Sequence, residues 1–460
     1  MFFLSFLIIS SAFGQDITGQ WNGLLKVPGF QIRLVFHINK TDLGLSSTMD
    51  SPDQAAFGIP MSSTVFENSK ITLKLTDAAI EYTGELKEGK FVGTFTQQGR
   101  SMPLDLQREA IEKPVAKRPQ EPREPYPYFS EEVAIENPGA GVTLSGTLTL
   151  PSKEGQYPVV VLITGSGPQN RDEELMGHKP FLVLADYLTR NGIGVLRYDD
   201  RGTAKSTGIF SEATTLDLAS DAEAALNYLK TRAGVNKEKI GLLGHSEGGI
   251  IAPMIAARSQ DVRFIILLAG TGLPGWELLL LQQNLIGKAS GISDDILQKN
   301  SELNQEIFNI IIRSGDSAKL KTDLANYLKE SIHEFPASVK PQGMSDEELV
   351  RMLVDQYSSP WMQFFLKYDP ATALSQVKCP VLAINGAKDL QVPPKENLGA
   401  IEKALRKGKN PSVTLREMPG LNHLFQECKT GSPDEYATIE QTFSPVALDV
   451  ITKWIQRTLK

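Results

Sequence analysis

The 460 residues carry 41% hydrophobic and 22% charged side chains, a globular composition long enough for two or three domains. The formal charge is −7, with Lys and Arg spread rather than clustered, which argues against nucleic acid or an anionic membrane surface as the main partner. Two cysteines, Cys379 and Cys428, exclude a disulfide scaffold and a cysteine-based zinc site, and Cys379 opens an apolar run where it is expected to be buried and inert.

In chain order, MFFLSFLIISSAFG is apolar and then small, with Ala12 and Gly14 where a signal peptidase cuts. Residues 1–14 are therefore expected to be a signal peptide removed before Gln15, and the mature chain to be exported, periplasmic or extracellular. Because no Lys or Arg precedes the apolar run, a buried N-terminal strand is the alternative. No later stretch reaches the ~18 apolar residues of a membrane-spanning helix. FIILLAGTGLPGWELLLL is interrupted by glycines, Pro274 and Glu277, so no stable membrane insertion is expected.

Residues 15–108 read as all-β. GQWNGLLKV, FQIRLVFHI, KITLKLTD, AIEYTGELKEG and KFVGTFTQQG are short alternating runs between Gly, Asn and Asp, as in a small barrel or sandwich. The opening Gly19-Gln20-Trp21 resembles the G-x-W start of lipocalin-like barrels, with Trp21 expected as a core plug. His37 stands alone on a strand, packed or solvated. Residues 109–128, EAIEKPVAKRPQEPREPYPY, are rich in proline and alternating charge and are expected to form an extended linker.

From residue 129 to 460 the pattern becomes α/β. YPVVVLITG, GIGVLRYDD, KIGLLGHS, RFIILLAG and CPVLAING are near-continuous apolar runs, as strands buried on both faces should be, and helical patterns separate them. Residues 273–370 break the alternation with helix-like segments alone. They read as a helical cap inserted between two sheet strands, able to exclude water and shape a pocket. Met362, Phe364 and Phe365 are candidates to line that pocket, or to bury the cap against the core.

The chemistry concentrates at IGLLGHSEGGIIAP, where a buried strand turns into a helix around Gly244-His245-Ser246-Glu247-Gly248. That is the form of a nucleophile elbow, in which glycines let a sharp turn lift the serine above the sheet edge. In a chain with 38 glycines the five letters decide nothing alone. A serine needs an imidazole to take its proton and a carboxylate to orient that imidazole, in the chain order Ser, acid, His. Downstream of Ser246 stand only His333, in the helical block, and His423, in the loop of MPGLNHLFQ before the last helix. Asp389 follows the strand of PVLAINGAKD, whereas Asp261, Asp369 and Asp434 lie away from strand ends. Ser246, Asp389 and His423 thus fall at three strand ends of one sheet edge.

An oxyanion site needs two backbone donors, expected from Glu247 and from Ser166 in the loop GSGPQNRDEE. Glu247 also sits well at the positive end of a helix. Asp200 and Arg201 are expected as a pair bracing a turn under the site, with Arg171 and Asp172 in a similar role. His178 has a possible substrate contact, and His245 is expected to pack behind the elbow. No cluster has metal-ligand spacing, and no glycine loop has a nucleotide-binding form.

Through GHSEGG, GAKDLQVP and PGLNHLF, residues 129–460 resemble the α/β-hydrolase superfamily. GSGPQNRDEE followed by YDDRGTAKSTG is similar more narrowly to secreted bacterial serine carboxylesterases with a β-rich N-terminal domain and a helical cap. The resemblance implies hydrolysis of short acyl esters without metal or organic cofactor, Ser246 as nucleophile, Asp389 as acid and His423 as base. Thr164-Gly165 departs from the superfamily's frequent His-Gly pair and bears on the second oxyanion donor. Alternatives are a serine peptidase or aminopeptidase of the same fold, whose amine-anchoring acids are not evident beyond Glu173 and Glu174 in a solvated-looking loop, an acyltransferase, and a non-catalytic glycan- or lipid-binding protein. The expected partner is a small-molecule ester, and oligomeric state is not readable.

Overall fold

The computed structural model describes residues 16–460 apart from 28–29, 43, 55, 98–99, 113–116 and 336–343, so the expected signal peptide lies outside the described residues. The chain divides near residue 115 into two compact units.

The first unit is an antiparallel sheet of β1 (Gly19–Val27), β2 (Phe30–Thr41), β3 (Gly44–Ser51), β4 (Ala56–Pro60), β5 (Ser63–Glu67), β6 (Lys70–Leu75), β7 (Ile80–Lys87), β8 (Lys90–Gln97), β9 (Arg100–Pro103) and β10 (Leu106–Gln107). Its strands run in the order β4-β3-β2-β1-β10-β8-β7-β6-β5, with β9 also on β8. The Ser47 and Thr64 hydroxyls, 2.7 Å apart, bring the two ends of this path together, so the sheet curls toward a barrel. Inside lie Trp21, Phe36, Leu73, Tyr82, Phe91 and Phe95. Trp21 is a core residue: its indole donates to the Ile17 carbonyl at 2.8 Å, and the Arg108 guanidinium covers its face at 3.9 Å. His37 is not alone, since its Nε2 meets Asp50 Oδ2 at 2.9 Å.

Residues 117–128 are not a free linker. Arg118 Nε donates to the Gly177 carbonyl at 3.0 Å, and Gln120 Nε2 donates to the Phe443 carbonyl at 2.6 Å. Gln120 Oε1 in turn accepts from the Thr442 amide at 2.7 Å. A proline-rich segment cannot build a ladder of its own, and here long polar side chains fasten it to the backbone of the second unit.

That unit is built on β11 (Phe129–Asn137), β12 (Val142–Leu150), β13 (Tyr157–Ile163), β14 (Gly194–Tyr198), β15 (Val235–His245), β16 (Phe264–Leu268), β17 (Val381–Gly386) and β18 (Val413–Met418). The order is β11-β12-β14-β13-β15-β16-β17-β18. The first pairings are antiparallel, and every pairing from β14 to β18 is parallel. Period-two alternation splits β13 between two cores. Val159, Val161 and Ile163 meet α2 (Thr215–Thr231), α3 (Gly248–Ala256) and α10 (Pro394–Lys407), while Val160 and Leu162 meet α1 (Pro180–Arg190) and α11 (Pro445–Thr458). Between β16 and β17 the chain inserts α4 (Gly275–Ala289), α5 (Asp294–Arg313), α6 (Ser317–Ser331), α7 (Asp346–Tyr357), α8 (Pro360–Lys367) and the short α9 (Ala371–Leu374). A mostly parallel sheet covered on both faces, carrying a helical insertion and preceded by a small all-β unit, is the architecture expected from the strand pattern.

Candidate active site

β15 ends at His245, α3 starts at Gly248, and the turn between them puts Ser246 in the left-handed region at φ 52°. For a serine this conformation costs on the order of 1–2 kcal/mol and persists only where the surroundings impose it. They do so here. A Cβ on Gly244 would stand 1.9 Å from the Gly248 carbonyl oxygen, and one on Gly248 would stand 2.2 Å from that of Ile163. The Ser246 amide is tied to the Leu268 carbonyl at 2.9 Å. Both neighbours of Ser246 are buried while the serine itself is partly open.

Asp389 follows β17, and His423 follows β18. Asp389 Oδ1 accepts from the amides of Gln391 and Val392, both at 2.8 Å, and Oδ2 faces His423 Nδ1 at 2.8 Å. Asp389 is thereby fully committed as an acceptor, so Nδ1 of His423 is the donor and Nε2 is left to accept a proton. The His423 loop is pinned by Asn422, whose Oδ1 accepts from the Leu424 and Gln426 amides at 3.0 and 2.9 Å. His333 is brought nowhere near this group: it is 74% exposed at the end of α6.

In the loop after β13 the Gly165 amide is spent on Glu173 Oε1 at 2.8 Å. Among the described residues the amides of Ser166 and Glu247 donate to no protein acceptor. They remain available to an oxyanion.

Several side chains sit differently from the sequence-based expectation. Glu247 is more than an amide at a helix start. Its carboxyl is 2% exposed, and Oε1 accepts from the Thr215 hydroxyl at 2.7 Å and the Trp361 indole at 2.8 Å. Burial pushes this carboxyl above its ordinary value of 4.5, against the pull of the Thr215, Trp361 and Ser166 donors. Its Oε2 is buried without a partner. Trp361, stacked on Phe365 at 4.8 Å, is thus the residue of α8 that reaches the elbow. Phe365 is buried in the core and Phe364 stacks on Tyr368 at 5.4 Å.

Glu173 is buried rather than solvated and meets His245 Nδ1 at 2.9 Å. Asp200 and Arg201 do not pair with each other. Arg201 is held by Asp221 at 2.6 Å, while Asp200 accepts from the Thr164 hydroxyl at 2.9 Å and the Gln169 amide at 3.0 Å. Burial pushes the Asp200 carboxyl up to about 8. Arg171 and Asp172 do brace the turn, through Asp199 at 2.8 Å and through Arg197 respectively. His178 is fully buried between the Thr442 hydroxyl and the Tyr436 carbonyl, and burial pushes it down to about 4. The burial of Glu247, Glu173, Asp200 and His178 carried no local sequence signal, because it is set by tertiary packing. A cavity of about 200 Å³ lies among α4, α5 and α7, lined by Leu280, Gln283, Asn304 and Tyr357, and includes none of the residues above.

Residues 179–320, which include Ser246 but neither Asp389 nor His423, match the family model described as serine aminopeptidase, S33. Esterase EstD of Thermotoga maritima is 28% identical over 218 residues, 46% of this chain and 48% of its own length. A putative carboxymethylenebutenolidase of Synechocystis is 28% identical over 145 residues, 30% of this chain and 58% of its own. The chain thus spans about half the length of these curated relatives. Among solved structures, an esterase of Pyrococcus furiosus aligns over 76% of this chain and 100% of its own at 15% identity and a TM-score of 0.44.

Proposed function

We propose that the chain is an α/β hydrolase, a reading supported by the parallel run of strands from β14 to β18 and by the match of residues 179–320, and that it is a serine carboxylesterase working through an acyl-Ser246 intermediate. The observation that carries this reading is the His423–Asp389 pair, 2.8 Å apart, on two loops that follow neighbouring parallel strands of the sheet whose β15 ends in the strained Ser246 turn. His423 Nε2 takes the Ser246 hydroxyl proton as Oγ attacks the ester carbonyl. The charge that develops on the carbonyl oxygen falls to the Ser166 and Glu247 amides, each worth about 3 kcal/mol in such a site. Collapse expels the alcohol, protonated by His423, and the imidazole then activates water to release the acid.

The helical insertion acts as a cap. Trp361 joins Glu247, the residue that follows the nucleophile, and a bulky indole at that place supports a preference for short acyl groups. Export of the mature chain after removal of residues 1–14 belongs to the same proposal.

One observation favours a second reading, the hydrolysis of aminoacyl esters or peptides. The buried Glu247 carboxyl has neutral donors around one oxygen and no partner on the other, and among the described residues no Lys or Arg pairs with it. A substrate ammonium would complete it. Purified residues 15–460 should be given p-nitrophenyl esters from acetate to laurate beside aminoacyl p-nitroanilides, with Ser246→Ala as control. Ester turnover that peaks at a short chain and vanishes in the control is expected. Anilide turnover without ester preference would reverse the order of the two readings.

A further inference from the structure

A second histidine–carboxylate pair stands beside the first. His245 Nε2 faces the carbonyl oxygen of His423 at 3.1 Å, and a carbonyl has no hydrogen to give, so Nε2 carries a proton. Its Nδ1 faces Glu173 Oε1 at 2.9 Å, and that oxygen already receives the Gly165 amide at 2.8 Å. The Gly165 amide on that same oxygen favours the carboxylate form of Glu173, which makes Nδ1 the donor and gives it a proton as well. The two imidazole rings lie 4.7 Å apart at 44°.

We infer that Glu173 and His245 form a buried carboxylate–imidazolium pair that positions the His423 loop against the elbow and the oxyanion loop, and turns its positive end toward the His423 ring. Three segments meet in it: the end of β15, the loop after β13 through Gly165, and the loop after β18 through the His423 carbonyl. Burial works against the charge on His245. The Glu173 carboxylate, the His423 carbonyl and the more distant Asp389 outweigh it, so the imidazole is held above its ordinary 6.5. Asp389 answers the charge that His423 gains during turnover. Glu173 and His245 are positioning residues that touch no substrate.

The inference rests on His423 being the base for Ser246, so its first test needs no turnover. Histidine-selective 15N spectra of the full-length Ser246→Ala protein should show one buried ring with both nitrogens protonated at neutral pH, and Glu173→Gln should convert that ring to a neutral form protonated at one nitrogen. A His245 ring already neutral in the unsubstituted Glu173 background would overturn the pair. In the active enzyme, Glu173→Gln keeps the shape while removing the charge. It should lower kcat about tenfold with little change in KM, and Glu173→Asp should recover part of the loss. A kcat left unchanged by Glu173→Gln would overturn the positioning role of the pair. Hydrolysis surviving in Ser246→Ala would instead sink the nucleophile assignment, with the spectra still deciding the charge on His245.

Discussion

Two backbone amides on one oxygen of Asp389 leave its other oxygen to fix the tautomer of His423. Replacing Asp389 with Asn would keep the volume but present a donor where His423 needs an acceptor, turning the imidazole to the wrong tautomer. The expected result is a fall in kcat on the order of 10⁴-fold with KM nearly unchanged, read from steady-state ester hydrolysis. The chain order of Ser246, Asp389 and His423 was readable because each follows an apolar run that had to be a strand. The side chains of Glu173 and Glu247 were not. In GSGPQNRDEE the neighbours of Glu173 are polar and suggest a solvated loop, and Glu247 sits in a helix start where an acid is ordinary. Their burial follows from β13, β15 and α8 converging, which local pattern does not encode.

At the scale of elements, the contact between α8 and the elbow ties the helical insertion to the chemistry. Trp361→Phe keeps an aromatic ring on Phe365 while removing the donor to Glu247 Oε1 and part of the indole's bulk. The substitution should cost about 1–2 kcal/mol, the price of leaving a buried acceptor short of one partner. It should also shift the preferred acyl chain to longer esters as the wall beside Ser246 loosens. Thermal unfolding and the chain-length profile together check this, and a variant with unchanged profile would detach α8 from the acyl pocket. The insertion itself was visible as helix-only sequence between two strand runs. Half of the first unit's strands were not, because GLSSTMDS, AFGIP and STVFE lack clean apolar alternation and are held by pairing and by the Ser47–Thr64 contact.

For the whole molecule, two buried groups give stability opposite dependences on pH. His178 stays neutral in the folded chain down to about 4 but takes a proton near 6.5 when unfolded, so it makes stability rise with pH across that interval. Asp200 keeps its proton when folded up to about 8 but loses it near 3.8 when unfolded, so its contribution falls as pH rises between those values. Below 6.5 the two oppose each other, and above it Asp200 acts without His178. The Asp200 contribution between pH 6.5 and 8 should amount to a loss of about 2 kcal/mol, and Asp200→Asn should flatten that part of the profile in denaturant titrations. A slope unchanged by the substitution would place the titrating group elsewhere. The alternation of apolar runs and helices foretold a parallel sheet covered on both faces. The exchange of β13 and β14 in the strand order, and the docking of residues 117–128 through Arg118 and Gln120, depend on contacts hundreds of residues apart and had no local signature.

The account turns on one covalent event, so the most direct measurement is the mass of the protein after treatment with a fluorophosphonate, followed by peptide mapping. A single adduct on Ser246, lost in Ser246→Ala and suppressed by prior incubation with a short-chain ester, is the predicted result. An adduct on another residue, or ester hydrolysis that continues with Ser246 replaced, would contradict it.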